Sequence, residues 1–156
     1  MAKAGVKLFC DEMLRRVGRW LRAAGYDTAI AEGGLADAAI IARCAAEART
    51  LITRDRHLET RTRGRLPVVC LADDAVEAQA RALRSALGID WQFAPFTRCV
   101  VDNAPLEPAP PELAAQVPPD SRAAGGPLRR CPECGRVYWP GGHVRRMQAR
   151  LLLFNS

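Results

Sequence analysis

The sequence predicts an α/β fold with a mostly parallel sheet, and three observations support this prediction. Short apolar runs alternate with amphipathic segments of helical spacing over residues 7–88. Glycine follows two of the amphipathic segments, at Gly25 and Gly88, where helices commonly end. Acidic residues come directly after several of the apolar runs. This alternation in a chain of 156 residues is typical of a parallel sheet covered by helices on both faces.

The first strand and the first helix meet at two acidic residues. Leu8–Cys10 is an apolar run that predicts a buried strand, and Asp11 and Glu12 follow it directly. Apolar residues over 13–21 then recur at helical spacing, with arginines between them. Ligands of open α/β sheets bind beyond the carboxyl ends of the strands, which is where Asp11 would lie. Asp11 could equally cap the helix that follows, and the residues alone leave both interpretations open.

The next elements continue the alternation of strands and helices. Each predicted strand is a short apolar run, and two of the predicted helices have apolar residues on one face, whereas the third, which begins at His57, is short and polar. Asp37 lies at the N-cap or in the first turn of the second helix. The predicted strands are 28–31, 50–53 and 67–71, and the predicted helices are 37–48, 57–63 and 76–87.

Acidic residues gather at one edge of the predicted sheet. They follow three of the strands, and one more opens a helix: Asp11, Glu12, Asp55, Asp73 and Asp37. Converging carboxylates repel one another unless a cation neutralises them. Mg²⁺ and Mn²⁺ take oxygen ligands, activate water and stabilise the leaving oxygen of a phosphodiester. The pattern therefore predicts metal-assisted phosphoryl transfer or hydrolysis.

Three other classes of α/β protein do not fit the sequence. Receiver domains need a lysine after a late strand, but both lysines, Lys3 and Lys7, precede the first helix. Haloacid-dehalogenase-like phosphatases have D-x-D after a strand, where this chain has Asp11-Glu12-Met13. The G-x-G-x-x-G motif of a dinucleotide-binding fold is absent after the first strand.

The chain is basic, with a net charge of +6, and all but two of its 23 basic residues are arginine. The planar guanidinium binds phosphate through two hydrogen bonds, which indicates nucleic acid as a partner. A GC-rich coding sequence would also explain the preference for arginine over lysine, but it would not explain the positive net charge. No apolar run is long enough for a membrane span, and no signal-peptide core opens the chain. A cytoplasmic protein without membrane attachment is therefore expected.

The composition changes after about residue 90. Trp91, Phe93 and Phe96 predict a packing segment that leads into the cysteine-containing part of the chain. Seven of the 11 prolines lie in 104–128, which predicts a loop or linker and not a helix. Leu151–Phe154 is an apolar tail, and it is the one feature that hints at a protein partner.

The six cysteines fall into two classes. Three lie inside apolar runs and are expected to be small buried hydrophobes: Cys10, Cys44 and Cys70. The other three lie among turn residues: Cys99, Cys131 and Cys134. The last two form a C-x-x-C-G sequence with the spacing of a zinc knuckle. In a cytosolic protein this arrangement indicates metal binding before disulfides.

Three motifs carry a family resemblance, namely Phe9-Cys-Asp-Glu-Met-Leu14, Thr53-Arg-Asp55 and Cys131-Pro-Glu-Cys-Gly-Arg-Val-Tyr-Trp139. In this order they resemble the Mut-7 C-terminal RNase domain family, which has a PIN-like nuclease fold followed by a zinc ribbon. The resemblance covers nearly the whole chain. It implies a PIN-like three-layer domain over residues 1–95 and a small zinc-ribbon-like module over 96–156, with the proline-rich linker at 104–128.

The resemblance also implies an activity and its residues. The implied activity is that of a divalent-metal-dependent ribonuclease that hydrolyses RNA phosphodiester bonds. Asp11, Asp37 and Asp55 match the family positions that would hold Mg²⁺ or Mn²⁺. Glu12 and Asp73 are weaker members of the catalytic set, because such side chains can also point away or cap a helix.

The zinc-ribbon-like part departs from the family pattern at one position. The family has a second cysteine in the first knuckle, where this chain has Asp102. Three outcomes stay open. In the first, Asp102 is an oxygen ligand beside the three cysteines, and in the second, His143 is the fourth ligand. In the third, zinc binding is weak or absent, and packing of residues 137–139 holds the module together. In each case the role expected for zinc is structural.

Basic residues indicate two regions that would contact RNA, either single-stranded or structured. Arg54 and Arg56 flank Asp55 and either hold substrate phosphates or act as ion-pair partners. Near the C-terminus, basic residues interleaved with aromatic ones fit phosphate contacts and base stacking: Arg136, His143, Arg145 and Arg146. They fit equally a small core with a solvated basic face, and His143 fits equally a plain surface residue.

A second function stays open beside the ribonuclease. The chain could keep the PIN-like fold without turnover and bind RNA or a ribonucleoprotein. Substitution of the carboxylates would then leave affinity nearly unchanged or improve it by removing repulsion. A toxin-like nuclease regulated by a partner protein is a variant of the first function, and a protein partner or a homodimer is compatible with either.

Overall fold

A parallel sheet of four strands forms the centre of the protein. The structure is a computed structural model that describes residues 5–156, so the first four residues of the predicted 1–95 domain lie outside the described part. The strands run in the order β2-β1-β3-β4 and are all parallel. They are β1 (Lys7–Cys10), β2 (Asp27–Ile30), β3 (Thr50–Thr53) and β4 (Val68–Cys70). Each predicted strand is present, with its ends within one residue of those observed.

Helices connect these strands in the predicted alternation. They are α1 (Arg15–Ala23), α2 (Asp37–Glu47), α3 (Arg56–Thr62) and α4 (Val76–Leu87). A 3-10 turn at Glu12–Leu14 precedes α1, so the first helix begins more tightly wound than its apolar spacing predicts. α4 ends at Gly88, whose φ of 66° is a left-handed conformation that glycine adopts without strain. The α/β prediction is confirmed.

Side chains of the strands feed two apolar cores, one on each face of the sheet. Successive strand residues point to opposite faces, so Leu8 and Cys10 lie in one core while Phe9 lies in the other. The first core packs against α1 and α4, and the second packs against α2 and α3. Trp91 is fully buried in the first core, as predicted for a packing segment. The predicted burial of the cysteines is confirmed for Cys10 and Cys44, whereas Cys70 is only half-buried.

The C-terminal residues form a helix, α6 (Gly142–Phe154), which closes over the first core. Leu151 and Phe154 are buried there, and the Phe154 ring meets the edge or face of the Trp20 and Trp91 rings at centroid distances of 5.3 and 5.1 Å. The prediction of an apolar tail left for a partner is therefore wrong for these two side chains, because helical spacing puts both on the inner face. Within residues 5–156, no helix, α6 included, has the length and apolar character needed to cross a membrane.

A small antiparallel sheet carries the part of the chain between α4 and α6. Its strands are β5 (Glu107–Pro108), β6 (Arg129–Arg130) and β7 (Val137–Tyr138), in the order β5-β6-β7. Between β5 and β6 the chain forms a 3-10 helix at Pro111–Gln116 and then α5 (Pro119–Ala124). The prediction that 104–128 contains no helix is wrong. Both helices begin at a proline, where the missing backbone N–H costs no hydrogen bond.

Candidate functional site

Thr53 joins two aspartates at the carboxyl edge of the parallel sheet. Asp11 follows β1, and its backbone N–H donates to the carbonyl of Ile52 in the neighbouring strand β3 (3.0 Å). The hydroxyl of Thr53, the last residue of β3, donates to Oδ2 of Asp11 (3.0 Å) and accepts from the backbone N–H of Asp55 (3.0 Å). Thr53 is fully buried, so this single hydroxyl fixes both acidic positions relative to each other.

Both aspartates also cap the turns that follow them. Oδ1 of Asp11 accepts from the backbone N–H of Glu12 (2.8 Å), and Oδ1 of Asp55 accepts from those of His57 (2.8 Å) and Leu58 (3.3 Å). The capping interpretation of Asp11 and its position at a strand end are thus both correct. A carboxylate has about four acceptor positions, so these bonds leave capacity for a cation.

The other acidic candidates lie around this pair. Asp37 is the first residue of α2, and its Oδ2 pairs with Nη1 of Arg61 on α3 (3.3 Å). Glu12 is exposed, and its Oε2 lies 3.2 Å from where a Cβ on Gly33 would stand, so it reaches the loop that leads to α2. Asp73 is exposed, and its backbone carbonyl accepts from the side-chain amide of Gln79 (2.9 Å).

The three predicted metal-binding aspartates do not close into one tight cluster. Among residues 5–156, Asp11, Asp37 and Asp55 do not form a group whose carboxylate oxygens all lie within 4.8 Å of one another. Their donor set nevertheless suits Mg²⁺, which commonly binds one or two carboxylates and keeps several waters. The side chains of the Arg61–Asp37 pair are 42% and 33% exposed, and so exposed a pair contributes at most about 1 kcal/mol. The ion pair between Arg61 and Asp37 is therefore weak.

The two arginines that flank Asp55 have different surroundings. Arg54 donates from Nη2 to the carbonyl of Ala72 (3.3 Å), beyond the end of β4, and its Nε is buried without a hydrogen-bond partner in the described chain. Arg56 is exposed and lines a surface cavity of about 460 Å³ that Cys70 also lines. Arg54 thus braces the ends of two strands, whereas Arg56 faces solvent beside Asp55.

Three cysteines and an aspartate form the tightest group of potential metal ligands in the described chain. One ligand atom from each of four residues lies within 4.8 Å of the others: Cys99, Asp102, Cys131 and Cys134. The sulfurs of Cys99 and Cys134 are 3.9 Å apart, and the Cys131 sulfur lies 3.2 Å from both carboxylate oxygens of Asp102. Tetrahedral zinc with bonds of about 2.3 Å to sulfur would place its sulfurs about 3.8 Å apart. The group can therefore hold a metal such as zinc.

The surroundings shift the pKa values of the Asp102 carboxyl and the Cys131 thiol in opposite directions. Burial raises the pKa of the Asp102 carboxyl, but the Ala104 N–H and the neighbouring thiols outweigh it, so the pKa lies below its ordinary value. Burial, with a further contribution from Asp102, raises the pKa of the Cys131 thiol to about 12. A coordinating cation reverses this effect, because it binds the thiolate. Of the proposed fourth ligands, Asp102 lies within the group, and His143 lies outside it on α6.

The predicted RNA-contacting residues near the C-terminus are all exposed and lie on two parts of the chain. His143, Arg145 and Arg146 lie in the first two turns of α6, and Arg136 precedes β7. Of the residues at 137–139, Val137 is buried, and Tyr138 and Trp139 are half-buried. That these residues contact phosphates and stack on bases stays a prediction.

The sequence of the chain matches one known protein family. The family model described as Mut7-C RNAse domain matches residues 6–151, nearly the whole chain. The chain belongs to the Mut7-C RNAse domain family. The sequence-based assignment is thereby confirmed, and this ribonuclease-type family implies RNA as substrate or partner. Neither the search of curated proteins nor that of solved structures found a match.

This member of the Mut7-C RNAse domain family contains two anchoring residues that the sequence did not reveal. Arg22 looks like one of the exposed arginines of α1, yet it is buried and donates to the carbonyls of Thr28, Val100 and Val101 (2.8–3.0 Å). Asn103 accepts from the backbone N–H of Thr28 (2.9 Å) and donates to Asp27 (2.7 Å). Together they fasten the turn from Cys99 to Asn103 onto β2.

The role of Thr53 was also missed, although it lies in the Thr53-Arg-Asp55 motif of the Mut7-C family resemblance. A buried threonine at the end of a strand, two residues before an aspartate, was the available signal. Its hydroxyl could have been expected to bond the backbone N–H two residues on, a common local pattern. The bond to Asp11 depends on strand pairing and could not be read from the sequence.

Proposed function

We propose that the protein is a divalent-metal-dependent ribonuclease that hydrolyses RNA phosphodiester bonds at the carboxyl edge of the parallel sheet. The observation that carries the proposal is the link from Asp11 through Thr53 to Asp55, across two neighbouring strands. Membership of a ribonuclease-type family supports RNA as the substrate. Strand ends in open α/β sheets are also where ligands bind.

The residues that would hold the cation are Asp11 and Asp55, with Asp37 as the third ligand. When bound, Mg²⁺ or Mn²⁺ supplies activation of water and neutralises negative charge at the phosphodiester. Thr53 keeps Asp11 oriented by donating to one carboxylate oxygen. Glu12 and Asp73, both exposed at the same edge, are the further acidic candidates for contacts with water or substrate.

Basic residues in two regions, one beside Asp55 and one in the C-terminal part of the chain, would hold the RNA strand. Arg56 is exposed next to Asp55 and is the better placed of its two neighbours to contact a phosphate, because Arg54 is engaged with Ala72. The basic residues of α6 and of the zinc-ribbon-like module would bind further along the strand, where phosphate contacts supply most of the affinity. Zinc would act structurally by fixing the turns that carry this module.

A second candidate function is non-catalytic binding of RNA or a ribonucleoprotein by the same fold. One observation favours it, namely that Arg61 already neutralises Asp37. If the Arg61–Asp37 pair persists when RNA is bound, only Asp11 and Asp55 remain as ligands for a cation. The RNA strand would then contact arginines at this edge and would not be cut. The two functions differ in whether the RNA backbone is cut.

The test is cleavage of a mixed-sequence single-stranded RNA by the full chain, with and without Mn²⁺. The variants are Asp11→Asn and Asp55→Asn, because asparagine still accepts the capping hydrogen bonds. Asp74→Asn is the matched control, since Asp74 is an exposed carboxylate after β4. Metal-dependent cleavage that is lost in both variants and kept in the control supports the ribonuclease. RNA binding retained by all proteins without cleavage supports the binding function instead.

A further inference from the structure

A cavity of about 260 Å³ lies between α1, the small antiparallel sheet and α6. It is lined by the aromatic residues Trp20, Phe96 and Tyr138, by Arg98, and by the exposed basic residues Arg16, Arg19 and His143, which we call its rim. We propose that this cavity binds one unpaired base of single-stranded RNA while the rim arginines bind the adjacent phosphates. The identity of the ligand as RNA rests on the proposed function.

The size of the cavity favours a single ring system. Pockets for drug-sized ligands have volumes of about 300–1,000 Å³, and this one is smaller. Bases of single-stranded nucleic acids commonly stack on aromatic side chains, whatever their sequence. The Trp20 ring is held in place from the side by Phe154, which meets it edge-on at 5.3 Å. The wall is therefore aromatic and already ordered.

The charge of the rim selects an anionic ligand over an apolar peptide. Within the described part of the chain, no acidic residue lines the cavity, and the exposed side chains of Arg16 and Arg19 stand at its edge. Arginine binds phosphate through a planar fork of donors. An aromatic floor with a wholly basic rim matches a base and its flanking phosphates together.

The backbone at Phe96 supplies an independent observation. Its φ of 59° lies in the left-handed region, which aromatic residues seldom adopt because of crowding at Cβ. Two hydrogen bonds hold it there: its N–H donates to the carbonyl of Ala23 (2.8 Å), and its carbonyl accepts from Arg129 (2.8 Å). Such strained residues persist where the surroundings over-determine them, and they concentrate at ligand sites.

The position of the cavity relative to the acidic edge suits one continuous RNA strand. Arg19 lies eight residues after Asp11 along the turn and helix that leave the edge, a rise of roughly 12 Å. At a stacked spacing of about 3.4 Å per nucleotide, this distance corresponds to three or four nucleotides. A strand with one base in the cavity would therefore reach Asp11.

The zinc-ribbon-like module contributes one wall of the cavity. The hydroxyl of Tyr138 lies 3.0 Å from the sulfur of Cys99, one of the four clustered ligands. Tyr138 also lines the cavity. Ordering of the cysteine group would thus also order this wall.

The experiment uses two fluorescein-labelled polymers that have the same length as each other. It measures how tightly each polymer binds the full-length protein without added Mg²⁺ or Mn²⁺. The probes are an eight-nucleotide oligouridine RNA and its abasic counterpart, and the readout is fluorescence anisotropy.

Three variants and one control test the cavity. Phe96→Gly removes an aromatic ring, and glycine adopts the left-handed backbone conformation without strain. Val144→Glu places a carboxylate in the cavity from α6 and serves if the glycine variant fails to fold. Arg19→Ala removes one rim charge, and Arg65→Ala is its matched control, since Arg65 is exposed at the opposite edge of the sheet, before β4.

The oligouridine should bind the wild-type chain more tightly than the abasic polymer does. Phe96→Gly and Val144→Glu should weaken oligouridine binding about tenfold, as expected for loss of one stacked base. Arg19→Ala should reduce the slope of log affinity against log salt by about 0.7, the single-strand value for one phosphate contact, and Arg65→Ala should not. Equal binding of both polymers, or unchanged oligouridine affinity in both cavity variants, would overturn the proposal.

This outcome is separable from failure of the proposed function. If the cavity variants bind oligouridine as tightly as the wild type, and the protein still cuts RNA with Mn²⁺, only the proposed base-binding role of the cavity is overturned. A protein that binds oligouridine through the cavity but cuts no RNA overturns only the ribonuclease. A cavity occupied instead by a partner protein would leave RNA affinity unchanged in both cavity variants, which counts against the proposal.

Discussion

The hydroxyl of Thr53 lies 3.0 Å from Oδ2 of Asp11, although 42 positions separate the two residues in the sequence. The contact exists because β1 and β3 are neighbours in the sheet, and Cys10, the last residue of β1, is paired to Ile52, the residue before Thr53. The same hydroxyl accepts from the N–H of Asp55. A neutral group thus holds the carboxylate of Asp11 and the backbone of Asp55 at one edge without neutralising either side chain, which leaves their charge available for a cation.

Under the proposed function, replacing Thr53 by valine should lower ribonuclease activity about 10- to 100-fold, the usual range for a residue that orients metal ligands. Valine keeps the shape but removes the hydroxyl, so Asp11 loses a donor and the Asp55 N–H loses an acceptor. Thr53→Ser should restore most of the activity, because it retains the hydroxyl. Mn²⁺ titrations of cleavage check this, and a higher Mn²⁺ requirement in the valine variant identifies a positioning role.

A stability measurement accompanies this test. Thr53→Val should lower the free energy of unfolding by only about 1–3 kcal/mol, the cost of one unsatisfied buried group. Activity that falls in proportion to the folded fraction, with an unchanged Mn²⁺ requirement, would show that Thr53 acts only through stability.

Phe154→Ala should destabilise the protein by about 3–5 kcal/mol, because its buried ring packs between Trp20 and Trp91 in the first core. Leu153→Ala is the matched control. Leu153 is the preceding residue of the same helix but is 69% exposed, so its replacement should change stability by no more than about 0.5 kcal/mol. Urea unfolding of the two variants checks the difference, and equal losses would contradict the docking of α6.

Much of the fold could be predicted from the sequence because buried parallel strands are nearly continuous apolar runs. Thr50–Thr53 was located without error in this way, and Asp55 was placed correctly just beyond it. The helices of the C-terminal part were missed for two reasons. Proline was interpreted as a breaker although Pro119 begins a helix, and the segment before Leu151 has arginines that obscure its apolar face.

The contacts of the candidate site were less predictable than its residues. Arg61 pairs with Asp37 only because α2 and α3 lie on the same face of the sheet, and its sequence context resembles that of any exposed arginine. Arg22 occupies what looks like the polar face of α1, yet three backbone carbonyls require it inside. Such pairings depend on the packing of distant elements, which local sequence patterns do not contain.

Asp27 should make the stability of the protein depend on pH in the acid range. Burial raises the pKa of this carboxyl, but hydrogen bonds from Asn103 and Arg49 outweigh it, so its pKa lies below its ordinary value. A carboxyl whose pKa is lower in the folded than in the unfolded chain stabilises fully above the unfolded value of about 3.9. That stabilisation is lost as the pH falls through the folded pKa.

Asp27→Asn should therefore lower the free energy of unfolding by about 1–3 kcal/mol near pH 7, and the difference from wild type should shrink as the pH falls below the unfolded pKa of about 3.9. Urea unfolding at several pH values measures this. Glu107→Gln is the control, because Glu107 pairs with Arg130 while both side chains are 43% exposed, and so exposed a pair contributes at most about 1 kcal/mol. A difference between wild type and Asp27→Asn that does not change with pH would contradict the assignment.

Zinc binding should depend on Asp102 and not on His143. Asp102 lies with the three cysteine sulfurs inside 4.8 Å, whereas His143 faces the cavity beside α1. Asp102→Ala should weaken zinc retention against a chelator by at least about tenfold, because three thiolates leave the fourth tetrahedral position to water. Asp102→Cys should retain zinc at least as well as wild type, since thiolate is the softer ligand. His143→Ala should release zinc at the wild-type rate, and loss of zinc in this variant but not in Asp102→Ala would show that the histidine is the fourth ligand.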